Sequence, residues 1–345
     1  MFCLRLVFPV LIAGFTATAA AAQGADPALA PLGRILASEV ILPGYQALSA
    51  SASAFRDNVG EACTGAAETV DRTAMRRAFD RLSDAWMAVQ PIRFGAVERH
   101  DRWFRIAFWP DRKNQVGRHL NRLRAPGAGE RLQPDRFARA SVAVQGLPAA
   151  ERLLFDPHFM PVRDCPVLGA IAGNLQAIAD DIAADWERAA WDEAAAAARS
   201  AMVLKMIVQQ LEFMRRAKLS APLGGKRVFP KRAEMWRSGR MRRNLQGNLE
   251  GLRALFFVGG AGFTGAMVDR EAGEGARLTV WGLFDDLARQ LEALPEPLSP
   301  ALRDPAIKAR VGVLENTLET LQSVLVLDIG PGLGIRFGFN ALDGD

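Results

Sequence analysis

Apolar residues recur along most of this chain at alternating spacings of four and three, the period of a helix that buries one face. Met75, Phe79, Leu82, Trp86 and Val89 form one such stripe, Leu168, Ile171, Leu175, Ile178 and Ile182 a second, and Ile307, Val311, Leu314, Leu318, Leu321 and Leu325 a third. Others run through Met241, Leu245, Leu249, Leu252 and Phe256, through Val280, Phe284, Leu287 and Leu291, and through Met202, Met206, Gln210 and Leu211. No apolar-polar alternation of useful length competes with them. The pattern predicts an all-α fold in which the stripes, their Met and aromatic members included, are core.

Pro110, Pro126-Gly127, Pro157 with Pro161, Pro222 with Gly224-Gly225, and Pro295 to Pro300 punctuate the stripes as loops. Asp164 before Cys165-Pro166 reads as an N-cap followed by a proline in the first turn, where its missing N–H costs little. Ala194 to Ala198 is strongly helix-forming and places a boundary between two helical-bundle halves close by. The expected organisation is therefore a leader over 1–22, an N-terminal bundle over 23–195 and a C-terminal bundle over 196–345.

The leader reading rests on Arg5 as a short positive region, Leu6 to Phe15 as an apolar stretch too short to span a bilayer, and Ala20-Ala21-Ala22 as a cleavage site. It predicts export, cleavage and a soluble product without a transmembrane anchor. The 345-residue chain carries a formal net charge of +5, only mildly basic, and no basic run is interleaved with aromatics, which argues against nucleic acid as a partner. Without the leader two cysteines remain, Cys63 and Cys165. In an oxidising compartment a single disulfide between them is the simplest reading, with two buried free thiols as its alternative.

Candidate chemistry is sparse. His100, His119 and His158 form no i, i+4 pair, so there is no H-E-x-x-H zinc helix, and no G-x-S-x-G elbow is present. The run from Gly259 to Gly265 follows a helical stripe and lacks a P-loop Lys-Ser/Thr, which makes it an interhelical loop. Two clusters set side chains near turns where they can face a cleft: Arg93 after the Trp86 stripe, and Trp109 with Asp111 beside Pro110. In a third, Glu234-Met235-Trp236-Arg237-Ser238, Ser238 is placed to cap the helix of Met241 and Glu234 to face its positive end. Gly146-Leu147-Pro148-Ala149-Ala150-Glu151 nearly spells G-x-H-x-x-E, with proline where the imidazole belongs.

Taken in order, these segments resemble the imelysin family of bacterial envelope proteins. The resemblance runs through Leu42-Pro43-Gly44-Tyr45, the Trp86 to Arg93 segment, Phe108 to Asp111, Gln145 to Phe155 and Cys165. It continues through Lys218 to Gly224, Glu234 to Ser238 and the terminal Asp343-Gly344-Asp345. It implies an all-helical fold of two bundle-like halves, an export signal and a link to iron uptake, with iron-uptake or redox components of the envelope as partners. It also implies a site for a divalent metal or iron at G-x-H-x-x-E, for which a peptidase activity has been proposed in some members. Carried over residue by residue, Gly146 and Glu151 match the motif and Pro148 replaces its histidine. Glu151 is then the one remaining metal ligand, and metal binding is weakened. Proline also forces the helix to restart at this point, with Pro148 in its first turn.

The resulting expectation is a periplasmic, imelysin-like protein of iron or metal handling that binds rather than catalyses, with a ligand cleft around Arg93, Trp109, Asp111, Gly146 and Glu151. A metallopeptidase with a rebuilt carboxylate site and a structural or adaptor protein of the envelope are the alternatives. A cleft lined by unpaired carboxylates would favour binding or catalysis. A packed apolar region around Pro148 would favour the adaptor.

Overall fold

The computed structural model describes residues 26–64 and 70–337; the expected leader and the terminal Asp343-Gly344-Asp345 lie outside the described residues. Among the described residues all regular structure is helical. Helix α1 (Ala30–Leu36) continues through a π-helical turn (Ala37–Ile41) into α2 (Leu42–Thr64). Asp71 caps α3 (Arg72–Val89), its carboxylate accepting from Thr73 N and Ala74 N at 2.9 Å each. Next come α4 (Gln115–Leu123), α5 (Leu147–Leu154) and the long α6 (Pro161–Glu187). Asp192 caps α7 (Glu193–Phe213), which runs into a second π-helical turn (Met214–Ser220). α8 (Met241–Phe256), α9 (Arg270–Glu292) and α10 (Pro305–Val324) complete the set.

α2 packs against α3 and α6 with α5 closing over α3 and α6, while α8 packs on α9 and α9 on α10. The helical break near residue 195 falls between Glu187 and Glu193, but one core spans it. α1 lies along α7, and α3 lies along α8. The second contact is close because Gly247 and Gly251, four apart on α8, present a strip without side chains. A Cβ at Gly251 would run into the Ala88 carbonyl, and one at Gly247 into the Met87 side chain.

The apolar stripes on α3, α6, α8 and α9 are buried as the periodicity predicts, but two details differ. On α7 the buried face is Val203, Leu204, Ile207, Val208 and Leu211, with Met202 and Met206 only half-buried. The unbranched methionines border the core, and the branched aliphatic residues fill it. The second difference is the start of α6, which begins at Pro161 with Met160 as N-cap, so Asp164 is not the cap. It lies fully buried in the first turns, accepting from Met160 N at 2.8 Å and ion-paired to Arg124 at 2.7 Å and Arg163 at 2.8 Å.

Cys63 at the end of α2 and Cys165 in α6 form a disulfide, with Cα atoms 5.7 Å apart and a sequence separation of 102. It ties the start of α6 to the end of the helix against which it packs. No helix among the described residues is long and apolar enough to cross a membrane.

Candidate ligand cleft

Four segments enclose a cleft of about 780 Å³: the turn from Ala107 to Asn114, α5, the π-helical turn after α7, and the loop from Lys231 to Arg237. α5 is built as its sequence requires. Gly146 is its N-cap and Pro148 stands in its first turn, where a missing N–H leaves no bond unmade. Gly146 is needed for close approach, since a Cβ there would collide with the carbonyl oxygens of Arg105 and Ile106. Pro148 and Glu151, three residues apart, share the face turned to the cleft.

Glu151 is 3 % exposed. Its Oε1 accepts two hydrogen bonds from Ser238, from the backbone N at 2.9 Å and from Oγ at 2.8 Å. Burial pushes its carboxyl above the usual carboxylate range, against the opposing pull of the Ser238 hydrogen bonds and the charge of Arg237. Ser238 thus does not cap α8, which starts after Arg240 without a side-chain cap. The Ser238 hydroxyl lies instead against Glu151 Oε1 and, at 3.0 Å, the Met235 carbonyl.

Trp109, Asp111 and Glu151 line the cleft, whereas Arg93 and Gly146 lie outside its walls. Asp111 turns both oxygens to the N-terminus of α4, accepting from Gln115 N at 2.7 Å and Val116 N at 2.9 Å. Arg93 is sandwiched between the rings of Trp103 and Phe213, 4.4 and 4.3 Å from their centroids, and donates to Gln210 Oε1 at 3.2 Å. Burial lowers its guanidinium to about 10. It reaches the cleft only through Phe213, whose ring meets Trp109 edge to face.

Glu234 lines the cleft and meets the first turn of α8 through the side chain of Asn244, which donates to its Oε2 at 3.3 Å. Its Oε2 takes the ammonium of Lys218 at 2.7 Å, and its Oε1 accepts from Gln90 Nε2 at 3.1 Å. Lys218 is 1 % exposed and also donates to Gln90 Oε1 at 2.7 Å and Asn248 Oδ1 at 2.6 Å. Burial lowers its ammonium, with Glu234 opposing. Asn244 donates to Glu234, and Gln210 to Gln90, so the network joins α3, α7, α8 and the loop that walls the cleft.

Sequence reasoning missed Lys218, Gln90, Asn244 and Asn248 as a group. The signal available was polar residues at core-facing positions: Gln90 next to Val89, Gln210 within an apolar stripe, and Asn244 and Asn248 one turn apart beside Leu245 and Leu249. Lys218 carried no such signal, because it turns inward only through the π-helical turn, which shifts the register after α7 and leaves Arg216 and Ala217 on the cleft side.

The donor set does not fit a metal ion. Pro148 supplies no lone pair, Glu151 Oε1 already accepts twice, and Asp111 and Glu234 are committed to a helix end and to Lys218. Among the described residues no group of three or more His, Cys, Asp or Glu could hold a metal, and His100, His119 and His158 do not assemble into one.

Comparison with known proteins agrees with this architecture. The family model described as Peptidase M75: Imelysin matches residues 41–325, and the chain belongs to the imelysin family. An imelysin-like protein from Psychrobacter arcticum 273-4 superposes with a TM-score of 0.79 at 20 % identity, over 90 % of this chain and 97 % of that one. A provisionally named iron-regulated protein A precursor from Parabacteroides distasonis ATCC 8503 gives 0.68 at 14 % identity, over 87 % and 94 %. At these identities the likeness is one of fold. No curated protein matches the sequence.

Proposed function

We propose that this chain is a periplasmic imelysin-family protein of iron or metal handling that binds a ligand in its cleft and catalyses no reaction. The iron link comes from the family resemblance and from the name of the Parabacteroides relative. The observation that carries binding over catalysis is the state of Glu151. A metal ligand or general base works within a set of donors, and Glu151, clamped at Oε1 by two hydrogen bonds from Ser238, has no imidazole and no second uncommitted carboxylate beside it among the described residues. Pro148 borders an open cleft rather than a packed apolar patch, which supports ligand binding over a purely structural role.

Two measurements test the reading. Purified protein incubated with unfolded polypeptides and added zinc or iron is expected to cleave nothing above background. Chelator-sensitive cleavage that disappears in Glu151→Gln would establish the peptidase instead. Cell fractionation with a periplasmic marker, combined with cellular iron content in a deletion strain, tests location and metal handling; cytoplasmic protein or unchanged iron content would refute them.

A further inference from the structure

The cleft that the binding reading assigns to a ligand has a charge pattern opposite to that of a cation site. Six basic side chains line it, Arg112, Arg152, Arg216, Lys231, Arg232 and Arg237, drawn from all four of its walls. The three acids that share the lining are each engaged with the protein itself: Asp111 by the amides of α4, Glu234 by the buried Lys218, and Glu151 by Ser238.

The cations are engaged differently. Arg216 pairs with Glu212 at 3.1 Å, but none of the other five has a carboxylate within salt-bridge distance among the described residues. Arg152 donates to the neutral Asn114 at 2.6 Å. Arg237 and Lys231 stand over the ring of Trp236, at 4.3 and 5.5 Å from its centroid, and Arg232 over that of Phe229 at 3.8 Å. Elsewhere the chain readily pairs its arginines with acids, as with Arg102 and Asp185, Arg124 and Asp164, and Arg240 with Asp80 and Asp84. Gathering Arg112, Arg152, Arg232 and Arg237, none of them in contact with a carboxylate, in one concavity with half-buried Trp109 and Trp236 beside them raises the local potential, offset in part at Arg237 by the charge of Glu151, and planar guanidinium forks match carboxylate oxygens in pairs.

We infer that the cleft binds a small multiply charged anion bearing carboxylate groups, and that any metal it carries enters as an anionic carboxylate chelate rather than as a bare ion. The inference rests on the cleft being a binding site, as proposed above, but not on the cargo being metal. It accounts for a donor set that fails to make a cation site inside a family linked to iron.

Calorimetric titration of the full mature protein with citrate, with ferric citrate, and with ferrous and zinc salts in the absence of chelator separates the readings. Ferric citrate is expected to bind, weakening as salt screens the cleft, and at least ~10-fold more weakly in Arg152→Gln/Arg237→Gln, the loss of two charge-assisted contacts. Arg237 is half-buried near Glu151, so a second variant, Arg112→Gln/Lys231→Gln at two exposed positions, keeps the readout if the first does not fold. Binding of ferric citrate alone supports both the anion site and the metal reading. Equal binding of citrate and ferric citrate supports the anion site and removes metal as its cargo. Tight binding of the bare ions with none of the citrates, or citrate binding insensitive to both variants, overturns the inference and leaves the metal reading to stand or fall on its own test.

Discussion

Ser238 donates two hydrogen bonds to one oxygen of Glu151, from its amide at 2.9 Å and its hydroxyl at 2.8 Å, across 87 residues of sequence. The pair clamps the loop before α8 onto the cleft face of α5. It also explains how a carboxylate can persist in a buried position without a cation or a metal in direct contact, since hydrogen bonds to it offset part of the desolvation cost.

The balance at Glu151 has a definite pH signature. Its folded-state carboxyl lies above the ordinary value, so the stability it contributes is complete below the unfolded pKa, in the protonated form, and is lost as pH rises through the folded pKa. Glu151→Gln keeps an acceptor for Ser238 and removes the titration. Denaturant unfolding from about pH 4 to about pH 7 is expected to show the variant gaining relative to the natural protein as pH rises. The opposite trend would mean that Ser238 and Arg237 outweigh burial.

Lys218 and Glu234 form a buried pair, and breaking it leaves the remaining member without its counter-charge. Lys218→Met should cost about 3–5 kcal/mol, and the double variant Lys218→Met/Glu234→Leu less than the sum of the single changes. Urea unfolding of all four members of the cycle provides the check. Additive losses would show that the pair acts only through its separate contacts with Gln90, Asn244 and Asn248.

The Cys63–Cys165 bridge closes a loop of about a hundred residues, for which the chain-entropy argument gives at most roughly 4 to 5 kcal/mol. Cys63→Ser/Cys165→Ser is expected to lower the unfolding free energy within that limit. Protein lacking residues 1–22, in which Cys63 and Cys165 are the remaining cysteines, should show no free thiol under denaturing, non-reducing conditions.

Gly146 serves packing rather than ligand binding. In Gly146→Ala the new methyl group meets two backbone carbonyls that cannot rotate away, so a loss of about 1–3 kcal/mol is expected. Thermal unfolding measures it, and unchanged affinity for any cleft ligand in the folded fraction would confirm that this glycine acts through stability alone.

Pro148→His places an imidazole one turn from Glu151 on the cleft face. Because Ser238 holds Glu151, metal affinity should rise more in Pro148→His/Ser238→Ala than in Pro148→His. Titration with zinc compares the two with the natural protein. Tight zinc binding by the natural chain that survives Glu151→Ala would place the ligands elsewhere.

The helical character of this protein, the stripes that form its core and the restart of α5 at Gly146-Leu147-Pro148 were legible in the sequence, because each depends on local spacing or on the fixed φ and missing N–H of proline; its family was legible as a resemblance carried by an ordered set of segments. Trp109, Asp111 and Glu151 could likewise be marked as cleft-facing from their place at turns and in the motif. Their partners could not. Whether a carboxylate meets an ion, a hydroxyl or a helix end is decided by what packs opposite it, and here the opposing groups come from far along the chain: Ser238 for Glu151, Lys218 for Glu234. The same holds for Arg93, which its position after α3 suggests for the cleft but which the rings of Trp103 and Phe213 enclose. The concentration of arginines around the cleft is invisible in a chain of mild net charge, because four separate segments supply it and only their packing brings like charges into one concavity.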